Sequence, residues 1–379
     1  MSDAASARRA EPVNAEPVSG DVSDHLDAGE GTPPTDVAGT AVPGIEAAAV
    51  TDWITDREPS VAPPLRFDLI EGGHSNLTYR VTDTAGRRLV LRRPPLGHVL
   101  ESAHDMGREH RIMAALAPTD VRVPPMVGLC TDRAVLGVDF YVMDYVKGHV
   151  LRSPADALLL DRDARSHLSG VLVDTLAAIH AVDLDAVGLA DLGKQESYVE
   201  RQLRRWHRQF HEGGTRDLPL IDAVHAELTR RVPPQGPAAI VHGDYRLDNC
   251  LVSTSGEVAA VLDWEICTLG DPLADVGMLL VYWIEAGDVL DPLGQAATSA
   301  PGFWPRQRLL ERYAAASGRD LGDIAFYHAF GQWKLACILE GVYARYVGGA
   351  KGDPPPDVQH FADSVVELSH AAAASLEQG

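Results

Sequence analysis

The stretch VHGDYRLDNC, residues 241–250, places His242, Asp244, Asp248 and Asn249 within eight positions, at the end of the apolar run AAIV. Asp and Asn are common turn formers, so such a loop can be no more than a turn. What argues for chemistry is Asp263, fourteen residues beyond Asn249. The segment between them, CLVSTSGEVAAVLD, reads as a hairpin: strand Cys250–Val252, turn Ser253–Gly256, strand Val258–Leu262. A hairpin brings its two ends together. Asn249 enters the first strand and Asp263 leaves the second, so both lie at one open end, with Asp244 at the start of the same loop. Three converging oxygen-bearing side chains suit a hard cation such as Mg²⁺ on a phosphate ester. An acid left over can orient a hydroxyl.

The spacing matches a known pattern: His-x-Asp, four residues, Asn, then a metal-binding Asp after a short hairpin. In the form His242-Gly243-Asp244…Asn249, with Trp264-Glu265 in place of Phe-Gly after Asp263, it resembles the aminoglycoside phosphotransferase and choline kinase branch of the protein-kinase-like fold. That resemblance implies an ATP- and Mg²⁺-dependent phosphotransferase acting on a small molecule. It implies Asp244 as the acid that takes or orients the acceptor proton, Asn249 and Asp263 as metal ligands, and His242 as support for the loop. In TLGDPLADVGMLL, Asp275 is expected to anchor the catalytic loop by hydrogen bonds. Asp271, before Pro272, either organises the turn or only caps a helix.

The same resemblance sets expectations upstream. EGGHSNLTYRV offers Gly72, Gly73, Ser75 and Asn76 to cover nucleotide phosphates. The strand LVLRR puts Arg92 where kinases carry lysine. Arg93 should point to the opposite face by strand alternation. LRRPP is similar to a subgroup of kinase-like domains related to those fused to animal acyl-CoA dehydrogenases. Glu109, in GREHRIM, is the expected partner of Arg92. Met143, Asp144, Tyr145 and Val146 should form the adenine-binding hinge, with Gly148 turning the chain into the next lobe.

The elements that must position these residues follow from pattern. LTYRV and RRLVLR alternate like paired strands, and SAHDMGREHRIMAALAP has helical spacing ended by Pro118. Two further strands precede residue 147. From about residue 151 the reading is mostly helical, including DARSHLSGVLVDTLAAIHAV, SYVERQLRRWHRQFHE and LIDAVHAELTRRV. The expected fold class is therefore α+β and bilobal: a disordered acidic tail over 1–50, a small β-rich nucleotide lobe over 51–147, and a helical catalytic and substrate lobe over 148–379.

Composition narrows the function. The formal net charge is −21, and residues 1–50 hold nine acids against Arg8 and Arg9. Such a balance argues against binding to nucleic acid or an anionic membrane. Cys130, Cys250, Cys267 and Cys337 form no CxxC pair and read as buried thiols in a cytoplasmic protein. No apolar run is long enough to span a bilayer, and the N-terminus lacks a secretory core. The acceptor is less legible. Aminoglycosides and choline want an acidic cleft, whereas a hydroxyacyl-CoA wants basic residues. RQLRRWHRQFH, with Arg201, Arg204, Arg205, Trp206, His207 and Arg208, is either such a surface or a solvated helix face. Arg345 and Tyr346 are open in the same way. A nucleotide-binding pseudokinase is the non-enzymatic alternative, and a metallohydrolase using His242, Asp244 and Asp263 is a third.

Overall fold

Strand alternation shapes the first lobe. In a computed structural model that describes residues 42–70, 76–96, 105–213, 216–288, 290–294, 296–349 and 358–378, the chain opens with helix α1 (Ala47–Arg57). Strands β1 (Arg66–Ile70), β2 (Leu77–Thr82) and β3 (Arg88–Arg93) follow. Helix α2 (Met106–Leu116) is capped by Asp105, whose side chain accepts from the Arg108 N–H at 2.9 Å. Strand β4 (Met126–Cys130), the short helix α3 (Arg133–Leu136) and β5 (Phe140–Asp144) complete the lobe. The five strands form one antiparallel sheet in the order β1-β2-β3-β5-β4. Tyr79, Val81, Leu89 and Leu91 bury on the face that α1 covers. There Trp53 meets the Phe140 ring edge-on, centroids 5.0 Å apart. Composition alone extends the acidic tail to residue 50, but Ile45 and Val50 are buried in this cluster. A few apolar residues in a polar segment are enough when an uncovered sheet face awaits them.

The second lobe is helical around two small ladders. Helices α4 (Pro154–Ala157), α5 (Arg162–His180), α6 (Tyr198–Gly213) and α7 (Pro219–Arg230) lead to β6 (Ala239–Val241). Strands β7 (Cys250–Val252) and β8 (Val258–Val261) form the expected hairpin. Strand β9 (Thr268–Gly270) pairs with β6, a ladder too short to leave a sequence pattern. Helices α8 (Leu273–Tyr282), α9 (Arg306–Ser317), α10 (Ile324–Val347) and α11 (Val358–Gln378) close the lobe. The four cysteines are free and buried. No described helix is long and apolar enough to cross a membrane.

The lobes meet through the segment after β5. The His149 N–H donates to the Val252 carbonyl at 2.8 Å, and the Val252 N–H returns the bond at 2.9 Å. The connection is thereby zipped to the hairpin that carries the site. Below it, α8 and α10 cross closely enough that Gly277 and Gly331 face one another. A Cβ on Gly277 would overlap the Tyr327 carbonyl. Gly277→Ala should therefore destabilise the protein by about 1–3 kcal/mol through overpacking. Denaturant unfolding of the variant against wild type measures this, and an unchanged midpoint would show that the crossing tolerates a methyl group.

Candidate active site

The loop after β6 is fixed by one buried carboxylate. Asp275, in the first turn of α8, accepts from the His242 N–H at 2.6 Å and the Gly243 N–H at 2.8 Å. Behind it, His180 Nε2 lies 3.3 Å from the same carboxylate, and His180 Nδ1 meets the Tyr313 hydroxyl at 2.7 Å. Burial opposes ionisation of Asp275, yet these donors hold its carboxyl below the usual range. The anchoring expected of Asp275 is thus what the structure contains. Asp271 accepts from the Leu273 N–H at 3.1 Å and from the Tyr327 hydroxyl at 2.6 Å. It both starts α8 and ties that helix to α10.

His242 is wholly buried. Its Nε2 donates to the Leu262 carbonyl at 2.9 Å, and its ring leans on Trp264, centroids 4.7 Å apart. The ring therefore joins the loop after β6 to the strand end just before Asp263. The Leu262 N–H donates to the Asn249 carbonyl at 2.8 Å, which closes the open end of the hairpin. Asn249 Nδ2 donates to the Asp244 carboxylate at 3.0 Å and to its backbone carbonyl at 2.8 Å. The Asn249 amide oxygen is left as a ligand atom. Asp263 sits at φ 62°, a left-handed conformation that Asp adopts more readily than most residues.

Arg92 faces this loop from the small lobe. It pairs with Asp263 at 2.8 Å, with Glu109 at 3.6 Å and with Glu265 at 3.7 Å. Glu109 is buried and accepts from the Tyr141 hydroxyl at 2.9 Å. Burial pushes its carboxyl up, against the pull of Arg92. Arg93 turns to the other face and hydrogen-bonds the Gly44 carbonyl, as alternation requires. Asn76 donates to Glu109 at 3.2 Å and Glu265 at 3.3 Å. Its amide thus braces the acids around Arg92, where the sequence assigned it to phosphates. Gly72, Gly73 and Ser75 lie outside the described residues. At the hinge, Met143 is buried. The Asp144 and Tyr145 N–H groups donate to the Pro125 and Arg88 carbonyls at 2.8 and 3.3 Å. The Val146 N–H takes no partner among the described residues.

Several contributors are absent from the sequence reading. Glu265 joins the Arg92 cluster; its signal was an acid where Phe-Gly is usual. Arg108 ties α2 to the loop after Asp263 through the Cys267 carbonyl at 2.8 Å. Lys334 lies buried in α10 and donates to the Gly243 carbonyl at 3.0 Å. Burial pushes its ammonium down, while Asp244 and Asp275 oppose that shift. A lone lysine in the apolar run FGQWKLACIL was the available clue. Tyr282 and Arg246 stand beside Asp244, with Arg246 stacked over the Tyr282 ring at 4.8 Å. By contrast, most of the basic run of α6 is solvated: Arg204, Arg205 and Arg208 are exposed. Arg345 is also exposed, and Tyr346 stacks on Phe361.

Comparison with known proteins places the chain in a family. The profile of the phosphotransferase enzyme family matches residues 66–327. Acyl-CoA dehydrogenase family member 10 of Mus musculus is 36% identical over 290 residues, covering 76% of the chain and 27% of that protein. Family member 11 of Gallus gallus is 32% identical over 314 residues, covering 78% of the chain and 39% of that protein. The chain thus spans about a quarter to two-fifths of these relatives' lengths. A solved protein of Ralstonia eutropha JMP134, provisionally named an aminoglycoside phosphotransferase, is 31% identical with a TM-score of 0.76, covering 88% of the chain and 98% of its own. An aminoglycoside phosphotransferase variant in ternary complex with AMP-PNP and hygromycin B shares the fold, with a TM-score of 0.56 at 16% identity over 88% of the chain and 99% of its own.

Asp275→Asn should expose how much the loop depends on its anchor. An amide can accept only one of the two N–H bonds and turns a donor toward the other. A loss of about 1.5–3 kcal/mol in stability is expected, with turnover down roughly 100-fold from misplacement of the loop. Unfolding and steady-state rates measured on the same preparation check both; wild-type turnover in the variant would show that the loop does not need the anchor.

Proposed function

The chain belongs to the phosphotransferase enzyme family, and we propose that it transfers the γ-phosphate of ATP to a hydroxyl of a small molecule, with a hydroxyacyl-CoA-type thioester favoured over an aminoglycoside or a choline-like alcohol. The observation that carries the reading is the joint placement of Asp244, Asn249 and Asp263 around one closed hairpin end, facing the Arg92–Glu109 pair.

The donor set fits a magnesium ion. The Asn249 amide oxygen and the Asp263 carboxylate are hard ligands of the kind Mg²⁺ takes alongside phosphate oxygens. Bound there, the ion would neutralise charge on the β- and γ-phosphates. Arg92 is placed to contact the same phosphates through its guanidinium fork, and Glu109 holds it in position. The adenine edge fits the hinge at Val146, whose N–H is available, with Met143 beside it. Asn249 orients the Asp244 carboxylate. Asp244 takes the acceptor hydroxyl proton as that oxygen bonds to the γ-phosphorus and the bond to ADP breaks.

The acceptor reading rests on the relatives' names and on a cavity. About 210 Å³ opens next to the loop after β6, its wall including Arg152, Arg246, Asp248, Tyr282, Trp283 and Asp291. This is smaller than the roughly 300–1,000 Å³ of drug-sized sites. The wall is largely apolar, with Arg152 and Arg246 balanced by Asp248 and Asp291 and Arg246 paired with Asp248; its size and apolar character suit a short acyl segment better than a polycationic ring system.

Purified protein with Mg·ATP should form ADP with a hydroxyacyl-CoA and not with kanamycin or choline. Asp263→Ala should weaken Mg·ATP binding at least tenfold, because it removes a carboxylate from the cation and phosphate site. Coupled ADP assay and calorimetry read these. ADP formation with kanamycin alone would reverse the acceptor assignment, and unchanged Mg·ATP affinity in Asp263→Ala would remove Asp263 from the metal site.

A further inference from the structure

We propose that His207, His211 and Asp222 form a binding site for one divalent transition cation of the zinc class, clamping α6 to α7. The site is independent of the phosphotransfer residues. His207 and His211 stand one turn apart on α6, and Asp222 lies in the first turn of α7. The i, i+4 spacing puts both imidazoles on one helix face, the spacing by which paired histidines hold zinc elsewhere.

Geometry brings three electron-pair donors into one triangle. Asp222 Oδ1 lies 2.7 Å from His207 Nε2 and 2.9 Å from His211 Nε2, and the two nitrogens are 3.2 Å apart. Tetrahedral ligands about 2.0–2.1 Å from zinc stand about 3.3 Å from one another. A small closing-out of this triangle is all that a cation requires. With both rings in the Nδ1–H tautomer, three lone pairs face inward at these atoms. A cation satisfies the three at once.

The rings are also held in orientation from behind, as second partners hold metal-binding histidines. His207 stacks on His225 with centroids 3.9 Å apart and planes at 15°. His225 in turn lies 5.5 Å from the Trp333 ring, and Phe210 meets His211 edge-on at 5.2 Å. Side-chain exposure of 30%, 51% and 47% at His207, His211 and Asp222 leaves an entry path and a fourth position for water.

Chemistry selects the cation class. Two imidazole nitrogens and one carboxylate suit zinc and its neighbours, whereas Mg²⁺ and Ca²⁺ seek oxygen ligands. Among the described residues, this is the group of His, Cys, Asp or Glu side chains whose ligand atoms all come within 4.8 Å of one another.

The test is a Co²⁺ titration of the chelator-stripped full chain, followed by visible absorption, then displacement with Zn²⁺. One equivalent of Co²⁺ should give the intense band of a low-coordinate nitrogen–oxygen site, and Zn²⁺ should bleach it. His211→Asn changes a half-exposed side chain and Asp222→Asn is a second, near-isosteric removal. Each should weaken uptake by more than the roughly 10–100-fold lost with an outer partner. Asp263→Asn, which removes the other candidate cation position, should leave the band intact. Zn²⁺ should raise the melting temperature of wild type and not of His211→Asn. No stoichiometric band, wild-type uptake by both ligand variants, or loss of the band in Asp263→Asn would each overturn the proposal.

Discussion

Everything at the site hangs from the Asp275 carboxylate. A buried anion is costly unless its lone pairs are met. Here two consecutive backbone N–H groups, those of His242 and Gly243, meet them from the catalytic loop, and His180 meets them from α5. Because those two N–H groups have one place to go, the chain direction through Gly243 is set, and with it the exit of Asp244. Lys334 grips the other side of the same peptide. The loop is thus held by an anion on its N–H side and a cation on its carbonyl side. Helices α8 and α10 contribute the two charges and α5 the His180 ring behind the carboxylate, so the packing of the helical lobe and the placement of one carboxylate are a single problem.

The second constraint runs between the lobes. Arg92 reaches Glu109, Asp263 and Glu265 together, which a planar guanidinium fork allows and a point-charge ammonium does less well. Arginine in place of lysine and glutamate in place of the glycine after Asp263 are therefore two halves of one change. Each makes sense beside the other. Nucleotide phosphates would compete for Arg92, and the acids around it, braced by Asn76 and Tyr141, remain in place to receive it again.

How much of this was legible depended on the range of the interaction. The hairpin Cys250–Val261 and the converging Asn249 and Asp263 were readable because local spacing fixes them. Glu109 and Asp275 were readable through the family resemblance, which sets a glutamate on the helix after the Arg92 strand and an aspartate shortly after Asp263. The bonds of Asn76 to Glu109 and Glu265 were not legible because those partners lie 33 and 189 residues away, beyond any local pattern. Lys334 and Tyr282 were missed for the same reason: α8 and α10 reach the loop only through tertiary packing. The basic run of α6 drew attention by composition, yet its consequence lies in His207 and His211, whose partner Asp222 sits on another helix.

The central claim is that Asp244 serves the transfer itself and not the folding of the loop. The most direct measurement is acceptor-dependent ADP formation by Asp244→Ala, alongside its affinity for Mg·ATP. The account predicts turnover reduced by roughly 10²–10⁴-fold with nucleotide affinity largely retained, since Asn249, Asp263 and Arg92 are untouched. Wild-type turnover in that variant would contradict it.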